Sequence, residues 1–103
     1  MSSERVRGGE LLYLGEYRRA VQVLTKAIEL EPDDADIYIN RGAAYAALAE
    51  YESAIADYNK AIELDPDNAT AYNNRGLAYA SQGNYELALR FQQGASGGGC
   101  QEK

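Results

Sequence analysis

Three arginines stand at equal steps along the chain, Arg7, Arg41 and Arg75, and each is followed by a glycine. A ladder of guanidinium groups has two chemical uses. It can hold an anionic ligand, or it can pair with acidic neighbours and lie along apolar surface as part of the scaffold. The scaffold reading is the expected one, because each arginine abuts a glycine that reads as a packing position. The rest of the inventory is sparse. There is no histidine, and Cys100 is the one cysteine. An internal disulfide is excluded, as is a metal site built on imidazole and thiolate. The stretch "DPDN" at 65–68 shares its opening with a calcium loop but lacks the central glycine and the distal glutamate. Its acids read as helix ends. No phosphate-cradling loop or activated serine or cysteine is present. Neither catalysis, a cofactor nor a metal is expected, and Cys100 reads as an incidental free thiol.

Composition narrows the class. The chain has 103 residues, 46% apolar and 25% charged, with two prolines, which suits one small, folded, helical domain. The net charge of −6 comes from acids gathered around the prolines, as in "ELEPDDAD". The basic residues form no run, so a nucleic-acid footprint is not expected. The acidity can steer a basic partner, but solubility is the simpler reading. "MSSERVRGG" has no apolar core of a secretory signal, and no apolar run approaches the ~20 residues of a membrane span. The default location is cytoplasmic, with no membrane partner.

Those residues are positioned by a repeat. Shifted by 34 positions, the chain matches itself: Arg7, Arg41 and Arg75; Gly8, Gly42 and Gly76; Tyr17, Tyr51 and Tyr85; Ala20, Ala54 and Ala88. Tyr38 matches Tyr72, Tyr45 matches Tyr79, and "KAIEL" recurs intact at 26–30 and 60–64. Each unit reads as two helices. Tyr38, Gly42 and Tyr45 form one stripe, and Tyr51, Ala54, Ile55, Tyr58, Ala61 and Ile62 form a second. A turn separates them near Ala49, with Gly15 and Gly83 at the same place in the other copies. Pro32 and Pro66 end the second helix. Asp33, Asp34, Asp67 and Asn68 are placed to cap the next one. The recurring mid-helix glycine suggests close helix approach, with Ala20, Ala54 and Ala88 as its expected contacts. The nine tyrosines read as packing.

The run "YINRGAAYAALAEYESAIADYNKAIELDP", from Tyr38 to Pro66, resembles the tetratricopeptide repeat. The resemblance covers about Ser2 to Leu89, with Glu4 and Leu11 replacing aromatics in the first unit. It implies an all-α fold of antiparallel helix pairs stacked in a right-handed superhelix. The expected domain spans 1–93, with units of about 1–34, 35–68 and 69–93. The third copy departs from the pattern: Gln92 stands where Tyr58 predicts an aromatic, Ser96 replaces an apolar residue and Cys100 replaces proline. Its second helix should fray after about Gln93, and 94–103 reads as a flexible Gly-rich tail.

The resemblance implies a non-catalytic protein-interaction module whose first helices line a groove for a partner's peptide. The groove candidates are Arg5, Gly9, Leu12 and Tyr13; Asp36, Ile39, Asn40, Ala43 and Ala47; and Thr70, Asn73, Asn74, Leu77 and Ser81. Ala43 and Ala47 leave room for a ligand. The amides of Asn40, Asn73 and Asn74 can bond to an extended backbone or to neighbouring helices, and both readings stand. One subgroup of the family clamps chaperone C-terminal carboxylates with Lys, Asn, Asn, Lys and Arg. Here those positions hold Arg5, Gly9, Asn40, Thr70 and Asn74, so most of the positive charge is gone and a chaperone-tail clamp is not expected. Two alternatives remain. The open end, with Leu89 and Phe91, can self-associate into a homo-oligomer, or the chain is a fragment of a larger repeat protein or enzyme.

Overall fold

The computed structural model describes the backbone of residues 3–94 and the side chains of residues 6–84. Five helices follow in order: α1 (Ser3–Tyr13), α2 (Tyr17–Leu30), α3 (Ala35–Ala47), α4 (Tyr51–Leu64) and α5 (Ala69–Gly94). No strand occurs among the described residues.

The two short turns inside units are built alike. After α1, the Gly15 amide donates to the Leu12 carbonyl and the Glu16 amide to the Leu11 carbonyl. After α3, the Ala49 amide donates to Ala46 and the Glu50 amide to Tyr45. Both are six-residue caps that need a left-handed residue, and Gly15 (φ 81°) and Ala49 (φ 62°) supply it. Between units, Pro32 and Pro66 stop the helix and a side chain restarts it. The Asp34 carboxylate accepts from the Asp36 amide at 3.0 Å, and the Asn68 carbonyl oxygen accepts from the Ala71 amide at 3.1 Å. Neighbouring Asp33 and Asp67 are exposed.

Each pair packs through its glycine. A Cβ on Gly8 would fall 2.3 Å from Leu24, and one on Gly42 would fall 2.6 Å from the Tyr58 ring. The close contacts are thus Leu24 and Tyr58, not the expected Ala20 and Ala54. The alanines are nonetheless fully buried in the two core clusters. One cluster joins α1, α2 and α3 around Leu11, Leu24, Ala27 and Ile37. The other joins α3, α4 and α5 around Tyr38, Ile55, Tyr58 and Ala71. Packing does not account for every tyrosine: Tyr13 is 92% exposed at the end of α1, and Tyr72 and Tyr79 are also exposed.

The third unit departs from expectation. Gly83 does not turn the chain, and α5 is one unbroken helix of 26 residues. A methyl group on Gly76 would meet nothing within 4 Å, whereas the space beside Gly8 and Gly42 is filled by the residue sixteen places later. That residue is Gln92 in the third unit, a poor filler for an apolar slot, so little packing would reward folding back. The side chains of Arg5, Leu89 and Phe91 lie outside what the structure describes, as does the whole segment 95–103.

Candidate peptide-binding groove

Helices α1, α3 and α5 approach one another in sequence, while among the described residues α2 and α4 make no close backbone approach. The first helices of the units therefore line the inner, concave side, and the second helices splay on the outer side.

Two concavities lie on the surface these helices form. The first has a volume of about 390 Å³ and spans three helices: Val6 and Gly9 of α1, Asp36, Ile39 and Asn40 of α3, with Thr70 of α5 and its cap Asn68. The second, about 290 Å³, is lined by Ala43, Ala46 and Ala47 of α3, Tyr51 and Tyr58 of α4, and Asn74, Leu77, Ala78 and Ser81 of α5. Gly9 has no side chain, and a Cβ there would meet nothing within 4 Å, so the first concavity stays open at this point. Leu77, 61% exposed, offers an apolar anchor beside the second.

Of the residues expected in the groove, Ile39 and Asn40 line the first concavity and Ala43, Asn74 and Leu77 the second. Tyr13 and Asn73 line neither. Tyr13 is the last residue of α1 and stands exposed. Asn73 is exposed. Sequence reasoning missed Val6 and Asn68. Val6 lies one helical turn before Gly9, a spacing that places both on one stripe. Asn68 was legible as a cap and serves as one while also edging the concavity.

The groove wall is fixed from behind by charge. In α3, Arg41 donates from Nε to Asp57 Oδ2 and from Nη2 to Asp57 Oδ1, both at 2.8 Å, and from Nη1 to Thr25 Oγ1 at 3.2 Å. Asp57 is 4% exposed. The hydrogen-bonded carboxylate holds the Arg41 guanidinium above its usual pKa, against the opposing effect of burial. The guanidinium also sits 5.6 Å from the Tyr45 ring centre. Arg75 bonds to Asn59 Oδ1 at 2.7 Å and lies 5.3 Å from the Tyr72 ring. The ladder thus serves the scaffold at these two rungs. Burial, then the Asp57 charge, pushes the Tyr58 phenol up to about 12.

Three of the positions that correspond to a carboxylate clamp, Gly9, Asn40 and Thr70, meet in the first concavity, and none carries positive charge. Asp36 adds an acidic side chain there. Among the described residues no cluster of His, Cys, Asp or Glu is arranged to hold a metal ion, and no helix is long and apolar enough to cross a membrane.

Comparison with known proteins agrees with this architecture. The chain superposes on the TPR2B domain of yeast Sti1 in its pHsp70 complex with a TM-score of 0.76 and 39% identity, covering 84% of this chain and 70% of that one. It matches the second TPR of Spaghetti (RPAP3), bound to the HSP90 peptide SRMEEVD, with a TM-score of 0.76 and 32% identity, covering 88% and 84%. The Sgt2 TPR domain from Aspergillus fumigatus gives 0.75 and 28% identity, covering 96% and 68%. No curated protein matches. The profile of the TPR repeat matches residues 8–49 and 44–83, so that helix pairs, period and sequence make this chain a member of the TPR repeat family.

Proposed function

We propose that the chain is a non-catalytic protein-interaction module that holds an extended peptide of a partner along the concave face of α1, α3 and α5. The observation that carries this reading is the first concavity: three successive inner helices contribute to one hollow with an amide, Asn40, beside an apolar wall, Ile39. An amide can satisfy both the donor and the acceptor of a peptide unit. Leu77 and the small Ala43 and Ala47 extend the track toward the second concavity. The helices are preformed, so the ordering cost falls on the peptide, and affinity around micromolar is expected.

The relatives bound to Hsp70 and HSP90 peptides support peptide binding as the class of activity. The same carboxylate-tail ligand does not suit this groove. Gly9 and Thr70 bring no charge, and Asp36 opposes an anion. The preferred peptide is one recognised through its backbone and apolar side chains.

A peptide library displayed on phage and panned against the chain tests this. Enriched peptides should bind at about micromolar strength and lose at least about tenfold with Asn40→Ala or Leu77→Glu. Binders indifferent to both substitutions would remove the groove from the account. A peptide ending in Glu-Glu-Val-Asp should bind no better than its amidated form. A free-acid preference above about tenfold would restore the clamp.

A further inference from the structure

The first helix of a unit has two working faces. In α3, Ile37 and Ala44 face the preceding unit, while Tyr38, Gly42 and Tyr45 face α4 of their own unit. The same columns in α5 behave differently. Ala71 and Ala78, the counterparts of Ile37 and Ala44, are buried against the second unit. Tyr72, Gly76 and Tyr79, the counterparts of the second face, are uncovered: Tyr72 is 45% exposed where Tyr38 is 8%. The face that should receive a second helix is bare.

The chain carries that second helix further along α5. Tyr85, Ala88 and Leu89 repeat the columns of Tyr51, Ala54 and Ile55. They cannot reach their own slot. Gly76 and position 92 are the pair equivalent to Gly42 and Tyr58, yet an unbroken helix holds them about 24 Å apart. Each chain therefore has one vacant face and one segment that repeats most columns of a second helix, Gln92 being the exception, and pairing between copies covers that face without breaking α5 at Gly83.

We propose that two copies of this chain pair through α5, antiparallel, each laying residues 85–92 on the Gly76–Tyr79 part of the other's bare face. The arrangement is isologous: Gly76 of one chain meets position 92 of its partner, and the reverse holds at the other end. The two-fold axis then crosses the helices midway, at Gly83–Asn84. A Cβ on Gly83 would meet nothing within 4 Å in the single chain, and the missing side chain lets two helices cross closely. Each half of the antiparallel pair sets the start of a second helix against a first helix, as α4 stands against α3. This surface lies apart from the first concavity, so association and peptide capture are separable.

Light scattering after size exclusion, across a hundredfold range of concentration, reads the mass. The full chain should move from monomer toward dimer. Ala88 stands in the column of Ala20 and Ala54, both fully buried, so Ala88→Arg should weaken the dimer at least about tenfold while helicity is kept. Register is read by mixing two chains that both carry Cys100→Ser, one with Gly76→Cys and the other with Gln92→Cys. Oxidation should join them as a disulfide-linked heterodimer, because only the antiparallel pairing brings those positions together. A monomer at every concentration overturns the proposal and leaves the face to a different protein or to solvent. A dimer that ignores Ala88→Arg and does not cross-link overturns it equally.

Discussion

Arg41 holds Asp57 in a two-point grip across the α3–α4 pair, and Asp57 is the one polar or charged side chain in the described core. The pair spans sixteen residues, the same interval that joins Gly42 to Tyr58 one position along. Charge and close approach therefore fix the same helix crossing. Arg41→Ala leaves a buried carboxylate without its partner and should cost about 3 kcal/mol in chemical denaturation. Arg41→Met with Asp57→Leu removes both charges and should recover most of that loss.

The glycine column gives a contrast within one sequence. Gly42→Ala puts a methyl group 2.6 Å from the Tyr58 ring and should destabilise by about 2 kcal/mol. Gly76→Ala meets open space inside a helix and should stabilise the dilute monomer by about 0.5 to 1 kcal/mol. Equal losses at the two sites would contradict the assignment of their surroundings.

Ala49 bears a left-handed backbone that glycine adopts without penalty. Ala49→Gly should raise stability by about 1 kcal/mol, read as a higher urea midpoint with an unchanged slope. Gly15→Ala at the matching turn should lose a similar amount.

Tyr58 links stability to alkaline pH. Its phenol titrates near 10 when unfolded and at about 12 when folded, because burial disfavours the phenolate. The folded state is therefore favoured fully below pH 10. About 2 to 3 kcal/mol of that advantage is lost as pH rises from 10 to 12. Tyr58→Phe should flatten this part of the profile in denaturation followed by circular dichroism.

Much of the fold is legible in the period. Gly15, Asp34 and Asn68 mark a turn or cap by local chemistry, Ala49 marks one only by its alignment with Gly15, and the structure uses all four. What local chemistry cannot reveal is a decision made by packing. Gly83 suits a left-handed turn better than Ala49 does, yet α5 runs through it. The helix folds back only where the returning segment fills a slot, as Tyr58 does for Gly42 and as Gln92 does not for Gly76. The same distinction governs the groove. Ile39, Asn40, Ala43, Asn74 and Leu77 fall on the inner helices by spacing alone, whereas Val6 enters through the approach of α1 to α3, and Tyr13, the last residue of α1, lines neither concavity. The partner of Arg41 was open to several acids in sequence. The antiparallel crossing selects Asp57.

Ile28 packs against both core clusters, and Arg41 ties Thr25 of α2 to Asp57 of α4. The two hydrophobic centres are thus mechanically one. Helices α2, α3 and α4 should open to solvent together, as a single cooperative block in amide exchange. Helix α1, at the end of the stack, and α5, packed through Ala71 and Ala78 on the second unit, should open below that threshold. The middle of this array is its keystone, and the ends borrow their order from it.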